Sequence, residues 1–332
     1  MDIADLLALS VSQGASDLHL SAGVAPMLRI DGEMRRCERP VLTGDQARAL
    51  IHSLMSDVQR RAFEVEHEAD FSCEVPTLGR FRVNAFEQQR GAGAVLRTIA
   101  SNVPSIESLG LGEVFKQLCD LPRGLVLVTG ATGSGKTTTL AAMIDHLNST
   151  RPLHILTLED PIEFIHLPKC SLINQRQVHR DTHSIDAALR SALREDPDVI
   201  MLGEMRDLDT IRLALTAAET GHLVLATLHT PSAAKTIDRV VDVFAAEEKS
   251  MVRTMLSESL QAVVCQTLVK KKGGGRVAAH EIMLGTPAIR NLIRENKVAQ
   301  MASAIQTGAA VGMQTLEMSL KRLKERGLIE HL

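Results

Sequence analysis

The sequence predicts an α/β protein in two parts. A smaller α+β domain over residues 1–100 is joined by a linker at 101–112 to a larger domain over 113–332, whose last stretch, about 245–332, is mostly helical apart from a hairpin. Two observations carry this expectation. Beyond residue 113, short apolar runs alternate with helically spaced apolar residues, the pattern of βαβ units and a mainly parallel sheet covered on both faces. The first of those runs leads directly into Gly130-Ala131-Thr132-Gly133-Ser134-Gly135-Lys136-Thr137.

In the first domain, Ile3, Leu6, Leu7 and Val11 follow helical spacing up to Gly14. Leu18 and Leu20, then Leu28 and Ile30, alternate as strand residues do, and Asp31-Gly32 is a hairpin signal. Thr43 and Gln46 have the spacing of a capping box, which Ala47, Leu50, Ile51 and Leu54 continue as a helix face. Two further strands are predicted at Arg80 to Phe86 and Ala94 to Ile99. Pro104, Gly110 and Gly112 mark the linker.

In the larger domain the strand-like runs are Leu125 to Thr129, His154 to Leu158, Val199 to Leu202 and Leu223 to Thr227, with a hairpin expected around Lys270 to Gly275. The loop after the first run fits G-x-x-x-x-G-K-[ST] at every position, and Leu140, Met143, Ile144 and Leu147 leave it at helical spacing. Glycines let backbone N–H groups turn inward, and a helix N-terminus adds partial positive charge, so the segment reads as a phosphate cradle. Gly130, Thr132, Gly133, Ser134, Gly135, Lys136, Thr137 and Thr138 are the binding candidates. Lys136 would reach the β- and γ-phosphates, and the Thr137 hydroxyl would hold Mg²⁺.

Two acidic groups follow strands. Glu204 comes after Val199 to Leu202, and Glu159-Asp160-Pro161-Ile162-Glu163 comes after His154 to Leu158. Ligands in such sheets lie at the carboxyl ends of strands, so Glu204 is placed to face the nucleotide and at least one acid of the second group should face the site. Glu204, Glu159 and Asp160 are candidates to hold Mg²⁺, partly through water. Spacing does not decide which of Glu159, Asp160, Glu163 and Glu204 polarises the attacking water. His222 and His229 flank Leu223 to Thr227, where γ-phosphate sensing competes with an ordinary hydrogen-bonded histidine.

Composition removes several classes of function. The formal net charge of −3 and the lack of Trp and Tyr disfavour a nucleic-acid-binding surface. No apolar run approaches the ~20 residues of a membrane span. The start, Met1-Asp2-Ile3-Ala4-Asp5, is acidic rather than basic, which predicts a cytoplasmic protein. Cys37, Cys73, Cys119, Cys170 and Cys265 are scattered, with no C-x-x-C pair, and read as reduced thiols.

With these segments in place, the chain resembles the secretion ATPase superfamily and, within it, the PilT-type pilus retraction ATPases. The matching segments are Ala15 to Leu20, the phosphate loop, Glu159 to Glu163 (the family's Asp box), Asp196 to Glu204 (Walker B) and Gly221 to Thr230 (His box). The resemblance implies a PAS-like first domain and a RecA-like second domain assembled as a homohexamer, with ATP bound at subunit boundaries. Arg82 and Arg97 match the family's interface arginines, although either alone reads as a surface charge. Ala288 to Glu295, opened by Thr286-Pro287, matches the segment that retraction requires, and also reads as an amphipathic packing helix. A longer N-terminal region and a paired-cysteine insert, usual in assembly and type II secretion motors, are missing. Gln175-Arg176-Gln177-Val178-His179 departs from the more usual Q-R-E-V-G, and Ala245 stands where Pro is common.

The resemblance thus implies an Mg-ATP-driven motor of pilus retraction and twitching motility, acting on an inner-membrane platform protein, with no nucleic acid involved. The rivals are a related motor with another cargo, a RecA-type helicase, and a nucleotide-bound scaffold without turnover.

Overall fold

The computed structural model describes residues 2–30, 32–99 and 102–330. Asp31 of the expected Asp31-Gly32 turn and Ser101, at the start of the expected linker, lie outside the described residues. The chain divides into two compact units, Met1–Asn102 and Val103–Leu332.

The first unit contains α1 (Ile3–Ser12), β1 (Asp17–Ser21), β2 (Met27–Ile30), β3 (Glu33–Arg36), α2 (Gly44–His52), α3 (Asp57–Glu66), β4 (Glu68–Val75), β5 (Gly79–Gln88) and β6 (Gly91–Ile99). Its six strands form an antiparallel sheet in the order β3-β2-β1-β6-β5-β4. Alternation sets its core: Phe81, Val83 and Ala85 point inward from β5 to meet Leu6, Leu7, Leu18 and Leu96. Capping boxes start both later helices, Thr43 with Gln46 on α2 and Ser56 with Gln59 on α3.

The second unit runs α4 (Glu113–Cys119), β7 (Gly124–Thr129), α5 (Lys136–Thr150), β8 (His154–Glu159), β9 (Leu172–Gln177), α6 (Ile185–Ala192), β10 (Val199–Leu202), α7 (Leu208–Glu219), β11 (Leu223–Leu228), α8 (Ala233–Asp242), α9 (Lys249–Ser259), β12 (Leu260–Lys270), β13 (Arg276–Leu284), α10 (Pro287–Arg294), α11 (Met301–Thr307) and α12 (Leu316–Glu325). Seven strands order as β13-β12-β7-β11-β10-β8-β9, parallel except for the β12–β13 pair. Successive residues of β7 serve opposite cores. Leu125 and Leu127 join a cluster with Ile200, Val224 and Ile289, while Val126 and Val128 join one with Phe115, Leu140 and Met143. Burial on both faces explains why β7 reads as an unbroken apolar run.

The hairpin expected around Lys270 to Gly275 is present, as the tip of the long β12–β13 pair that extends the main sheet, with helices over much of the rest of 245–332. The expected linker is packed rather than free, since Ile106 and Leu111 are buried in the core with Phe115 and Val126. Among the described residues, no helix is long and apolar enough to cross a membrane.

Candidate active site

The glycine loop leaves the carboxyl end of β7 and turns into α5. Gly130, Gly133 and Gly135 have φ of 138°, 75° and 86°, backbone conformations that other residues adopt only with strain. A side chain at Gly130 would collide with the Gln266 carbonyl of β12. Lys136 is buried, and its ammonium donates to the carbonyls of Gly130 (2.9 Å) and Ala131 (3.1 Å). Burial lowers the Lys136 pKa, while Glu204, Cys265 and Glu163 pull it back up. Both acids are therefore close enough to Lys136 for their charge to act on it. Ser134 Oγ is buried with no hydrogen-bond partner, and Thr137 and Thr138 follow on the first turn of α5.

Glu204 follows β10 and is about a quarter exposed. One carboxylate oxygen accepts from Arg206 Nε at 2.8 Å, and the other lies 3.4 Å from His229 Nε2. His229 Nδ1 is in turn 3.4 Å from the Thr132 hydroxyl. Glycine loop, His229 and Glu204 thus form one connected row.

The Asp-box acids divide by burial. Glu159 is 3% exposed, and its carboxyl accepts from the Thr157 hydroxyl (2.6 Å), the Gln175 side-chain amide (3.1 Å) and the backbone of Glu163. Burial pushes its pKa up to about 7. Glu159 is accordingly placed to hold the turn that carries Glu163, not to serve as an open metal ligand. Asp160 is exposed and shares a pocket with Glu204, Arg206 and Asp207. Gln175 and Gln177 strap the turn to β9: Gln175 Oε1 accepts from His166 N at 2.8 Å and Gln177 Oε1 from Ile162 N at 3.3 Å. Sequence reading singled out neither glutamine as a site residue. His179, where glycine is more usual in the resembling family, has φ of 66° in the left-handed region.

Glu159 carries a pH signature. Its folded pKa lies above the ordinary 4.5, so between pH 4.5 and 7 the folded chain holds a proton that the unfolded chain has released, and stability falls as pH rises through that window. Glu159→Gln removes the buried charge and keeps an acceptor for Thr157. The variant is expected to be more stable than wild type at pH 8 by on the order of 2–3 kcal/mol, with the gain vanishing below pH 4.5. Chemical denaturation across pH 4 to 8 checks this, and a gain independent of pH refutes it.

His222 does not join the row. It precedes β11, with its ring on the Ala217 carbonyl at 3.0 Å and its own carbonyl on Gly124 N. Because β11 runs parallel to β7 with Leu223 beside Gly124 and Leu228 beside Thr129, His222 sits at the far end of the sheet, ~20 Å from the glycine loop. Its placement as a sensor in its own chain's site is therefore corrected.

Arg82 and Arg97 lie in the first unit as direct cross-strand partners on β5 and β6. Arg82 makes a two-point contact with Asp70 (2.6 and 3.1 Å), and Arg97 Nε donates to the buried Asp17 at 2.8 Å. In α10, Thr286 caps the first turn and Ile289 and Ile293 are fully buried. Arg290 is not a free surface charge: its guanidinium donates to the carbonyls of Gly285, Ser257 and Glu258, closing the C-terminal end of α9.

A family model described as "Type II/IV secretion system protein" matches residues 2–273. The chain is 70% identical to the type IV pilus retractation ATPase PilT of Pseudomonas aeruginosa, over 99% of this chain and 96% of that one. It is 57% identical to a twitching motility protein of Neisseria gonorrhoeae, over 98% and 88% of the two chains. The crystal structure of the pilus retraction motor PilT with bound ADP superposes with a TM-score of 0.94 at 47% identity, covering 99% of this chain and 95% of that one.

Proposed function

The chain belongs to the type II/IV secretion system protein family, and from that premise we propose that it is a hexameric Mg-ATP-hydrolysing motor powering type IV pilus retraction. The observation that carries the reading is the row formed by the glycine loop, Lys136, His229 and Glu204 at the carboxyl ends of neighbouring strands. The likeness to a retraction motor with bound ADP supports the same use of the loop.

In this reading the second unit is the RecA-like ATPase and the first the PAS-like domain. A pocket of about 590 Å³ beside Gly135 and Thr138, walled by Leu109, Leu268 and Leu328, suits the nucleoside. Lys136 exchanges its loop carbonyls for the β- and γ-phosphate oxygens. Glu204, oriented by Arg206 and His229, aligns water for attack on the γ-phosphorus, and Glu163 supplies negative charge across the site. Hydrolysis releases ADP and phosphate without a covalent enzyme intermediate.

The residues fit magnesium. Thr137 and the Glu204 and Asp160 carboxylates offer hard oxygen ligands, and among the described residues no cluster of three or more His, Cys, Asp or Glu gathers that would hold a metal alone. Magnesium typically takes few protein ligands and completes its shell with phosphate oxygens and water. Held by these residues, it would supply neutralisation of the phosphate charge.

The motor works in the cytoplasm at the inner-membrane pilus machine, where changes between subunits are passed to a platform protein. Glu204→Gln tests the reading. It is expected to retain ATP binding and lose ~10²–10³-fold in phosphate release. In cells lacking the native gene, wild type should restore twitching and the variant should leave surface pili that do not retract. A null strain that loses its pili overturns retraction as the direction of work.

A further inference from the structure

A buried polar network runs from the glycine loop toward the C-terminal end of the chain, and the mechanism above makes no use of it. Its centre is Gln266 of β12, 2% exposed. Its Nε2 donates to the Ser134 carbonyl at 2.6 Å, and its Oε1 accepts from the Thr139 hydroxyl of α5 at 2.7 Å. The Ser134 carbonyl only accepts, so the amide orientation is fixed, and His280 Nε2, 3.0 Å from Gln266 Oε1, must carry the proton. His280 is the direct cross-strand partner of Gln266 on β13. Burial drives its pKa down to about 4, so the ring is neutral at working pH.

The network continues beyond His280. The backbone N–H of His280 donates to Ser319 Oγ of α12 at 3.0 Å, and its carbonyl accepts from Gln314 Nε2 at 3.1 Å. Gln314 Oε1 accepts from Arg322 of α12 at 3.0 Å. Ser134, Thr139, Gln266, His280, Gln314 and Ser319 are all buried. A buried polar chain of this length is costly wherever one partner is missing, and rigidifies what it connects when all are satisfied.

The two ends differ in freedom. At the loop, side chains added at Gly130 or Gly135 would meet the Gln266 carbonyl or its Nε2, so β12 backs the loop without slack. Behind His280 lies a cavity of about 280 Å³ bordered by Phe115, Ile282, Gln314 and Arg322, which gives the α12 side room to shift.

We propose that Gln266 is a positioning residue of the glycine loop, and that His280 couples it to α12 so that the C-terminal end of the chain helps set nucleotide affinity. The proposal rests on the nucleotide-binding reading and deepens it. Gln266 lines the pocket proposed for the nucleoside and acts through the loop: it fixes the Ser134 carbonyl and Thr139, which hold the loop and the first turn of α5 in register.

Binding of a fluorescent ADP analogue with magnesium, and ATPase kinetics, test it on the full-length protein well below its melting temperature. Gln266→Met, similar in volume but without the amide, is expected to weaken ADP binding about tenfold. KM for ATP should rise in parallel while kcat stays within about threefold, because the loop acts on bound phosphate in ground and transition states alike. Thr139→Val, a milder change, should show a several-fold effect in the same sense. Ser319→Ala, on α12 and remote from the loop, should weaken ADP binding by at least threefold. If Gln266→Met and Thr139→Val bind ADP as wild type does while melting lower, the network only stabilises the fold and the positioning role is overturned. Unchanged affinity in Ser319→Ala overturns the coupling to α12. Failure of wild type to bind ADP would instead overturn the nucleotide reading itself.

Discussion

Replacing Lys136 with alanine is expected to lower ATP turnover by at least ~10²–10³-fold and to weaken nucleotide binding at the same time. The expectation follows from where the ammonium sits. It is buried at the head of α5 and bonded to the Gly130 and Ala131 carbonyls, on a loop whose glycines at 130, 133 and 135 turn the backbone around one point. Desolvation weakens the charged state, but Glu204 and Glu163 oppose that effect, so the site is built to hold a cation there. Phosphoryl transfer depends on positioning and charge, and no other lysine or arginine of the second unit donates to the loop carbonyls that Lys136 occupies, among the described hydrogen bonds. Alanine removes the cation and leaves the glycine turns in place, so the melting temperature should change little. Calorimetry with ADP and magnesium, beside phosphate release, separates the two effects. Retention of both binding and turnover would remove the basis of the proposed mechanism.

The glycine loop was legible in the sequence because its chemistry is contiguous: eight neighbouring residues, an apolar strand before and a periodic helix after. That acids follow β8 and β10 is legible for a related reason, since strand ends can be read off apolar runs, but spacing leaves open which of Glu159, Asp160, Glu163 and Glu204 acts. His222 shows where such reading fails. It flanks the same strand as His229, but in a parallel sheet only the carboxyl end of β11 reaches the loop, and the pairing of Leu223 with Gly124 places His222 at the other end. Gln266 carried no local signal at all. Its partners Ser134, Thr139 and His280 come from distant parts of the chain, and only the folded pairing of β12 with β7 and β13 brings them together. The length of the β12–β13 pair is not legible beyond its tip, because Leu260 to Lys270 continues the apolar pattern of α9 without a break. At α10 the residue pattern predicts an amphipathic helix, yet Arg290 closes a neighbouring helix, so disrupting that segment removes packing and a cap together. Loss of retraction in such a variant says little unless the fold is shown to survive.

Arg82 and Arg97 carry the second large effect. As direct cross-strand partners they project from the same face of the β5–β6 ladder, a paired cationic patch. Their present partners are unequal. The Arg82–Asp70 pair is more than a third exposed on both sides, so its release costs less than about 1 kcal/mol. Arg97 instead neutralises Asp17, which is buried and otherwise bonded only to the Ser16 hydroxyl in the described contacts. Arg82→Ala should act mainly on turnover, whereas Arg97→Ala, which strips a buried carboxylate of its cation, should also destabilise the first unit, and Arg97→Lys is the better probe of chemistry. If these arginines close over a neighbour's nucleotide, each alanine variant should lose ~10³-fold or more in turnover, in the range known for arginines supplied in trans. A head-to-tail ring gives a sharper test. Lys136→Ala subunits would lend their arginines to Arg82→Ala subunits that still have Lys136, so an equal mixture should recover activity at roughly a quarter of its interfaces. Activity well above the sum of the two separate variants assigns the arginine to the adjacent subunit. A mixture no more active than its components would place Arg82 back among ordinary surface charges, held by Asp70 and remote from the chemistry.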